Sequence, residues 1–373
     1  MARQIEYQLF TDNSPKMRNP QVYDFDRTKG IEISVRKDGF IIRMSRYKTY
    51  LPEEVLIDRT FRDAIKKAYL LQIVQYGKCC NVKNLMISIN GEVSCMYIES
   101  GDELLYPLCG YSLNKPLGKY WRNKQVLGVI ANTPKSKYDR RFAALFAFAM
   151  ARSKVFETER FMYLWMAVNS LYGHVSGMAK RDLSKEGKDW IKKEYAQIKF
   201  FSLTTGYPYQ QINHSSTEED KKENDKLRLY LEKICHSIQQ SKDIPSFVNA
   251  CRSDDRSNWW VNQIHELLDE YKCGGLIHPY MLMLLWFPYQ IRCKYFHGEM
   301  AIPFLCYKDE HPLPALQVIN HFLDEFLDNN LPHWFEQNNQ EEVIKKIASA
   351  CVVNKKGLNS CSIFPNVKIQ LYF

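Results

Sequence analysis

The sequence predicts an α+β protein: a strand-rich module over residues 1–136, then an all-α helical domain over 137–373. Three observations carry that expectation. Asp38-Gly39 and Asn90-Gly91 each lie between short runs of alternating apolar and polar residues, a strong local signature of a β-hairpin. Asn132-Thr133-Pro134-Lys135-Ser136 reads as a linker. Beyond it, apolar residues recur mostly at helical spacing.

In chain order, the first hairpin joins strands 31–35 and 40–44. A helix follows over 52–75. Pro52 and two glutamates open it, Ile57, Phe61, Ile65 and Tyr69 fall at helical spacing, and Gly77 closes it. The second hairpin joins 85–89 and 93–98. Helices are then expected over 138–152, 157–172, 185–199, 218–240, 245–251, 258–272, 279–297, 316–329 and 341–351. Ser215-Ser216-Thr217-Glu218-Glu219 caps the fourth of these, and Cys273-Gly274-Gly275 closes the sixth. Residues 362–373 read as a final strand, and 216–226 as a solvated charge run.

Composition bounds the function. Of 373 residues, 45% are hydrophobic and 25% charged, which excludes a disordered or fibrous chain. The net charge is +9, and residues 1–137 hold +8 of it, with 22 Lys and Arg against 14 Asp and Glu. A basic N-terminal third fits a polyanion partner, and fits a merely soluble basic surface equally well. Met1-Ala2-Arg3-Gln4-Ile5-Glu6 has no apolar core of a secretory signal. The longest apolar runs, 142–151 and 280–289, are about half the roughly 20 residues a spanning helix needs. The 11 cysteines include no CxxC pair and read as reduced thiols of a cytoplasmic protein. No membrane partner, metal or cofactor is expected.

The signatures GxSxG, HExxH, GxxxxGK[ST] and GxGxxG are all absent. What remains is the segment Trp286-Phe287-Pro288-Tyr289-Gln290-Ile291-Arg292-Cys293-Lys294-Tyr295-Phe296-His297-Gly298. Arg292 and His297 stand with four residues between them at the end of an apolar helix, with Pro288 upstream and Gly298 at the stop. A second stretch runs Arg160-Phe161-Met162-Tyr163-Leu164-Trp165-Met166-Ala167-Val168-Asn169-Ser170-Leu171-Tyr172-Gly173. The first segment resembles the R-x4–6-H motif of the HEPN superfamily. The second is similar to an early helix of many prokaryotic members. The resemblance covers roughly 138–330 and does not reach the N-terminal module.

The resemblance implies an all-helical domain, usually a homodimer, with the Arg/His motifs of both copies meeting at the interface. It implies a metal-independent endoribonuclease of prokaryotic defence or toxin-type growth arrest, with an antitoxin or defence-system partner. Its alternative is a non-catalytic adaptor that binds RNA, a nucleotide or a protein. Two departures bear on that choice: Cys293 follows Arg292 where many active members carry Asn, Asp or His, and Glu299 stands where some carry Tyr.

The chemistry also follows from the residues. RNA brings its own nucleophile, the 2′-hydroxyl. Cleavage needs a proton taken from it, charge stabilised on the phosphorane, and a proton given to the 5′-oxygen. Histidine titrates in the right range for the transfers. Arginine holds phosphate oxygens in a fixed fork. On an ideal helix, positions i and i+5 are about 140° apart, so one Arg292/His297 pair converges poorly and two copies about a two-fold axis converge better. Lys294 is read as a phosphate contact or as helix surface. Asn169 is read as a tie between the early helix and the motif helix. In the N-terminal module, Arg43, Arg46 and Lys48 are interleaved with Phe40, Tyr47 and Tyr50. They either grip RNA or form an ordinary exposed hairpin.

Overall fold

The computed structural model describes residues 5–10, 21–26, 31–44, 59–80, 84–89, 92–97, 112–132, 140–194, 196–198, 200–202, 204–205, 229, 285, 288–289, 291–292, 313–335, 339–354 and 357–361. They form an α+β protein of two compact units. The first is Met1–Lys154 with Leu331–Gln337, and the second is Val155–Asn330 with Asn338–Phe373. The division falls after Lys154, so the helix beyond the expected 136/137 boundary belongs with the strands.

The first unit rests on a six-stranded antiparallel sheet. Its strands are β1 (Ile5–Phe10), β2 (Gln21–Asp26), β3 (Ile31–Val35), β4 (Gly39–Met44), β5 (Asn84–Ile89) and β6 (Glu92–Tyr97), in the order β2-β3-β4-β1-β5-β6. Both expected hairpins are present, the first closed by Arg36 N–H donating to Gly39 O at 2.9 Å. β1 lies outside the sequence expectation. It pairs with β4 on one side and β5 on the other, so Leu9 stands opposite both Phe40 and Leu85. It thereby welds two local hairpins into one sheet.

Helix α1 (Arg59–Tyr76) lies against β3 and β4. Ile33, Val35, Phe40 and Ile42 of the strands are buried with Ala64, Ile65, Ala68 and Leu71 of the helix. Phe40 meets Tyr69 edge-on at 5.2 Å. Gly77 ends the helix at φ +69°, in the left-handed region that favours glycine, as expected from its position.

Gln72 is wholly buried, and both ends of its amide are engaged. Its Nε2 donates to Arg36 O at 2.7 Å and Gly39 O at 3.2 Å; its Oε1 accepts from Cys80 N–H at 3.2 Å and the Cys80 thiol at 3.3 Å. Cys79 and Cys80 are buried free thiols.

A second helix, α2 (Lys124–Asn132), lies against β2 and is likewise unanticipated. Ahead of it, a 3-10 turn at Lys119–Arg122 carries the fully buried Trp121. Trp121 stacks on Phe148 of α3 (Arg140–Ser153) and meets Phe335 at 6.2 Å. Phe335 comes from a 3-10 turn, Pro332–Phe335, that the chain returns to this unit much later. Arg141 Nη1 donates to Trp334 O at 2.8 Å and so fastens that turn.

The second unit is organised around α4 (Glu157–Ala179). The expected end at Tyr172, before Gly173, is passed by seven residues. Gly173, Val175, Ser176 and Ala179 are all buried, so packing offsets the glycine's low helix propensity. The expected helix 185–199 is broken. α5 (Lys185–Trp190) begins at Ser184, whose side chain accepts from Gly187 N–H at 3.2 Å, and a turn over 191–193 follows before the chain is helical again from Glu194. Gln197 Nε2 donates to Ile191 O at 3.1 Å and satisfies a carbonyl freed by the break.

Helix α6 (Leu313–Asn330) runs against α4. There Asn320 Nδ2 donates to Glu157 O at 2.8 Å, and Arg160 faces the buried Asp324 at 3.6 Å. Helix α7 (Asn339–Ala350) also packs on α4 and leads into an antiparallel hairpin, β7 (Cys351–Asn354) and β8 (Gly357–Cys361). The region after 137 is therefore not all-α. The hairpin's linking residues, Lys355-Lys356, carry no turn dipeptide, so nothing local announced it.

The helices expected over 218–240, 245–251 and 258–272 and the strand over 362–373 lie outside the described residues, Leu229 apart. Among the described residues, no helix is long and apolar enough to cross a membrane.

Candidate functional site

The site is built from three stretches of the second unit. The first is the face of α4 that carries Trp165, Val168 and Tyr172, at spacings of three and four residues. All three are buried. The second is the start of the helical segment from Glu194, set by the break at 191–193. The third is the segment holding Leu285, Pro288, Tyr289, Ile291 and Arg292, each of them helical. Leu285, Tyr289 and Arg292 recur at i, i+4 and i+7 and so share a stripe.

These stretches meet through rings and charges. The Trp165 ring lies 6.2 Å from that of Tyr172 and 6.1 Å from that of Tyr289. The Tyr172 hydroxyl donates a short hydrogen bond to Glu194 Oε1. The other oxygen of that carboxylate, Oε2, stands 3.7 Å from Arg292 Nη1. A chain of contacts thus runs from the core of α4 through Tyr172 and Glu194 to the Arg292 guanidinium. Burial, the hydrogen bond to Glu194 and the Glu194 charge hold the Tyr172 hydroxyl well above the usual phenol range, against a smaller opposing pull from Arg292. Tyr172 is therefore a neutral donor throughout the physiological range. Trp165 Nε1 is buried with no hydrogen-bond partner among the described residues.

Of the residues singled out from sequence, Arg292 lies within this cluster. Cys293, Lys294 and His297 lie outside the described residues. Asn169 is half-buried on α4. Among the described residues, Trp165 reaches this segment through Tyr289, and Tyr172 through Glu194.

Sequence reading missed Glu194. It follows Lys192-Lys193 in an ordinary charged stretch, and no spacing links it to a residue almost a hundred positions on. Tyr172 stood inside the quoted HEPN-like stretch, but no role was given to it.

In the first unit, Arg43 is half-buried on β4, with Glu32 of β3 and Glu6 of β1 at the paired register positions. Arg46 and Lys48 lie outside the described residues. Among the described residues, no group of three or more His, Cys, Asp and Glu side chains is placed to hold a metal ion. No family model, curated protein or solved structure matches this chain.

Proposed function

We propose that the chain is a HEPN-type endoribonuclease that cuts RNA through the substrate's own 2′-hydroxyl, without a metal, at a site completed by two copies of the chain. The observation that carries the reading is the convergence of the two HEPN-like stretches: Trp165 and Tyr172 of one reach Tyr289 and, through Glu194, Arg292 of the other. In this mechanism one His297 takes the 2′-hydroxyl proton while the oxygen attacks phosphorus. The P–O5′ bond breaks, and the second His297 protonates the departing oxygen. Arg292 stabilises the charge that builds on the phosphorane. The products are a 2′,3′-cyclic phosphate and a 5′-hydroxyl. The cellular setting is prokaryotic defence or growth arrest, by analogy with the family the motifs resemble.

A second reading is the non-catalytic adaptor, and the Glu194 carboxylate beside Arg292 favours it because it already balances the Arg292 charge. The two part on one experiment. Wild type and His297→Ala are incubated with a labelled structured RNA in EDTA, and product ends are analysed. Cleavage by wild type, lost in the variant and leaving cyclic phosphate ends, supports the nuclease. A folded wild type that binds the RNA and leaves it intact supports the adaptor.

A further inference from the structure

Arg292 is useful to a phosphorane only if its planar fork is aimed, and a long side chain has many rotamers to choose among. The structure supplies a device that limits that choice. Glu194 turns its two oxygens in different directions, one to the Tyr172 hydroxyl and the other to Arg292 Nη1. Tyr172 is itself fixed, being 1% exposed and flanked by the Trp165 ring.

We infer that Glu194, clamped by Tyr172, is the positioning residue for Arg292. The inference rests on the nuclease reading and names how its arginine is held.

Two other roles for the pair are weaker. As a stability device it is poor: Arg292 is 23% exposed and Glu194 32% exposed, and a solvent-accessible pair is worth about 0–1 kcal/mol. As an inhibitor, Glu194 would have to monopolise the guanidinium. A guanidinium has five N–H donors, so a carboxylate near one terminal nitrogen and a phosphate on the fork are compatible. The clamp also explains why position 172 on the buried face carries a tyrosine rather than an apolar residue: its hydroxyl reaches the carboxylate.

The test uses the full-length chain as wild type, Glu194→Gln, Glu194→Asp and Tyr172→Phe, each checked for an intact thermal transition. Cleavage of the labelled RNA in EDTA is resolved into kcat and KM. Because Arg292 acts on charge that appears only in the transition state, Glu194→Gln is expected to lower kcat about 10–100-fold with KM within about twofold. Tyr172→Phe is expected to lower kcat less, and Glu194→Asp to recover part of the loss. A second readout needs no cleavage: the Arg292 Nε–Hε NMR signal, assigned by its disappearance in Arg292→Lys, is expected to shift in Glu194→Gln and Tyr172→Phe. If wild type cleaves and Glu194→Gln matches or exceeds it, the inference is wrong while the nuclease stands. An unmoved Arg292 signal overturns it whatever the activity. A shifted signal in a chain that cuts nothing keeps the clamp and removes the nuclease.

Discussion

The polar hub around Gln72 in the first unit and that around Glu194 in the second differ in kind. Gln72 is neutral, wholly buried and bonded at both ends of its amide to backbone groups and a thiol. It fastens α1 to the β3–β4 turn and to Cys80, and nothing in it is left to act on another molecule. The hub around Glu194 sets a carboxylate, a guanidinium and a phenol together where the charged pair remains part-exposed. A closed neutral hub holds a fold in one arrangement. An open charged one leaves its ionic groups within reach of solvent, at little gain in stability.

The comparison breaks if the two hubs respond alike to mutation. The largest effect is expected from Arg292→Ala or His297→Ala: cleavage slower by about 10²–10⁴-fold, with thermal unfolding nearly unmoved. Parallel rate assays and melting curves check it, and a melting point that falls along with activity would return Arg292 to a structural role.

Next comes Gln72→Leu, which strips Arg36 O and Cys80 N–H of their buried partner. It is expected to cost about 2–4 kcal/mol in denaturant unfolding, with cleavage per folded molecule unchanged.

Tyr172→Phe is expected to cost about 1 kcal/mol at neutral pH, the bond being to a part-exposed carboxylate. Its distinctive trace is alkaline. The native phenol is held above its usual range, so its stabilising effect is complete below the unfolded value of about 10. That effect is lost as pH rises beyond it, because the unfolded chain ionises first. Wild type should therefore lose stability above pH 10 more steeply than Tyr172→Phe.

The smallest effect sharpens the contrast by removing burial altogether. Asp189 is exposed and pairs with Lys192 at 2.7 Å, and the hydrogen bond and charge of that lysine hold its carboxyl below the ordinary range. Its contribution is present above the ordinary carboxylate pKa and lost as pH falls through the native one. Asp189→Asn should flatten the acid limb of the stability profile slightly and leave cleavage alone.

What the sequence made legible was local. The Asp38-Gly39 turn, the stop at Gly77, the start of α4 and the helices α6 and α7 all follow from signals within a few residues of one another. What it concealed was paired at a distance or decided by packing. β1 finds its neighbours in β4 and β5 through registers spanning tens of residues. α4 continues past Gly173 because the following turn is buried, and the helix after Ser184 breaks at 191–193. The site divided in the same way. Arg292 was visible because glycine, proline and histidine punctuate its helix, whereas Glu194 became visible only when the break at 191–193 turned it toward Tyr172.

The turn at Pro332–Phe335 has a consequence for synthesis. Phe335 packs on Trp121 and Phe142, yet it is made roughly 180 residues after the rest of its unit. At about 5–20 residues per second, the sheet unit waits about 10–40 s on the ribosome with those aromatic surfaces uncovered, while most of the helical unit is being made. An N-terminal fragment ending at 154 never receives that cover, so it is a poor stand-in for the sheet unit of the whole chain. A peptide spanning 331–337, added during refolding, is the reagent that would restore it.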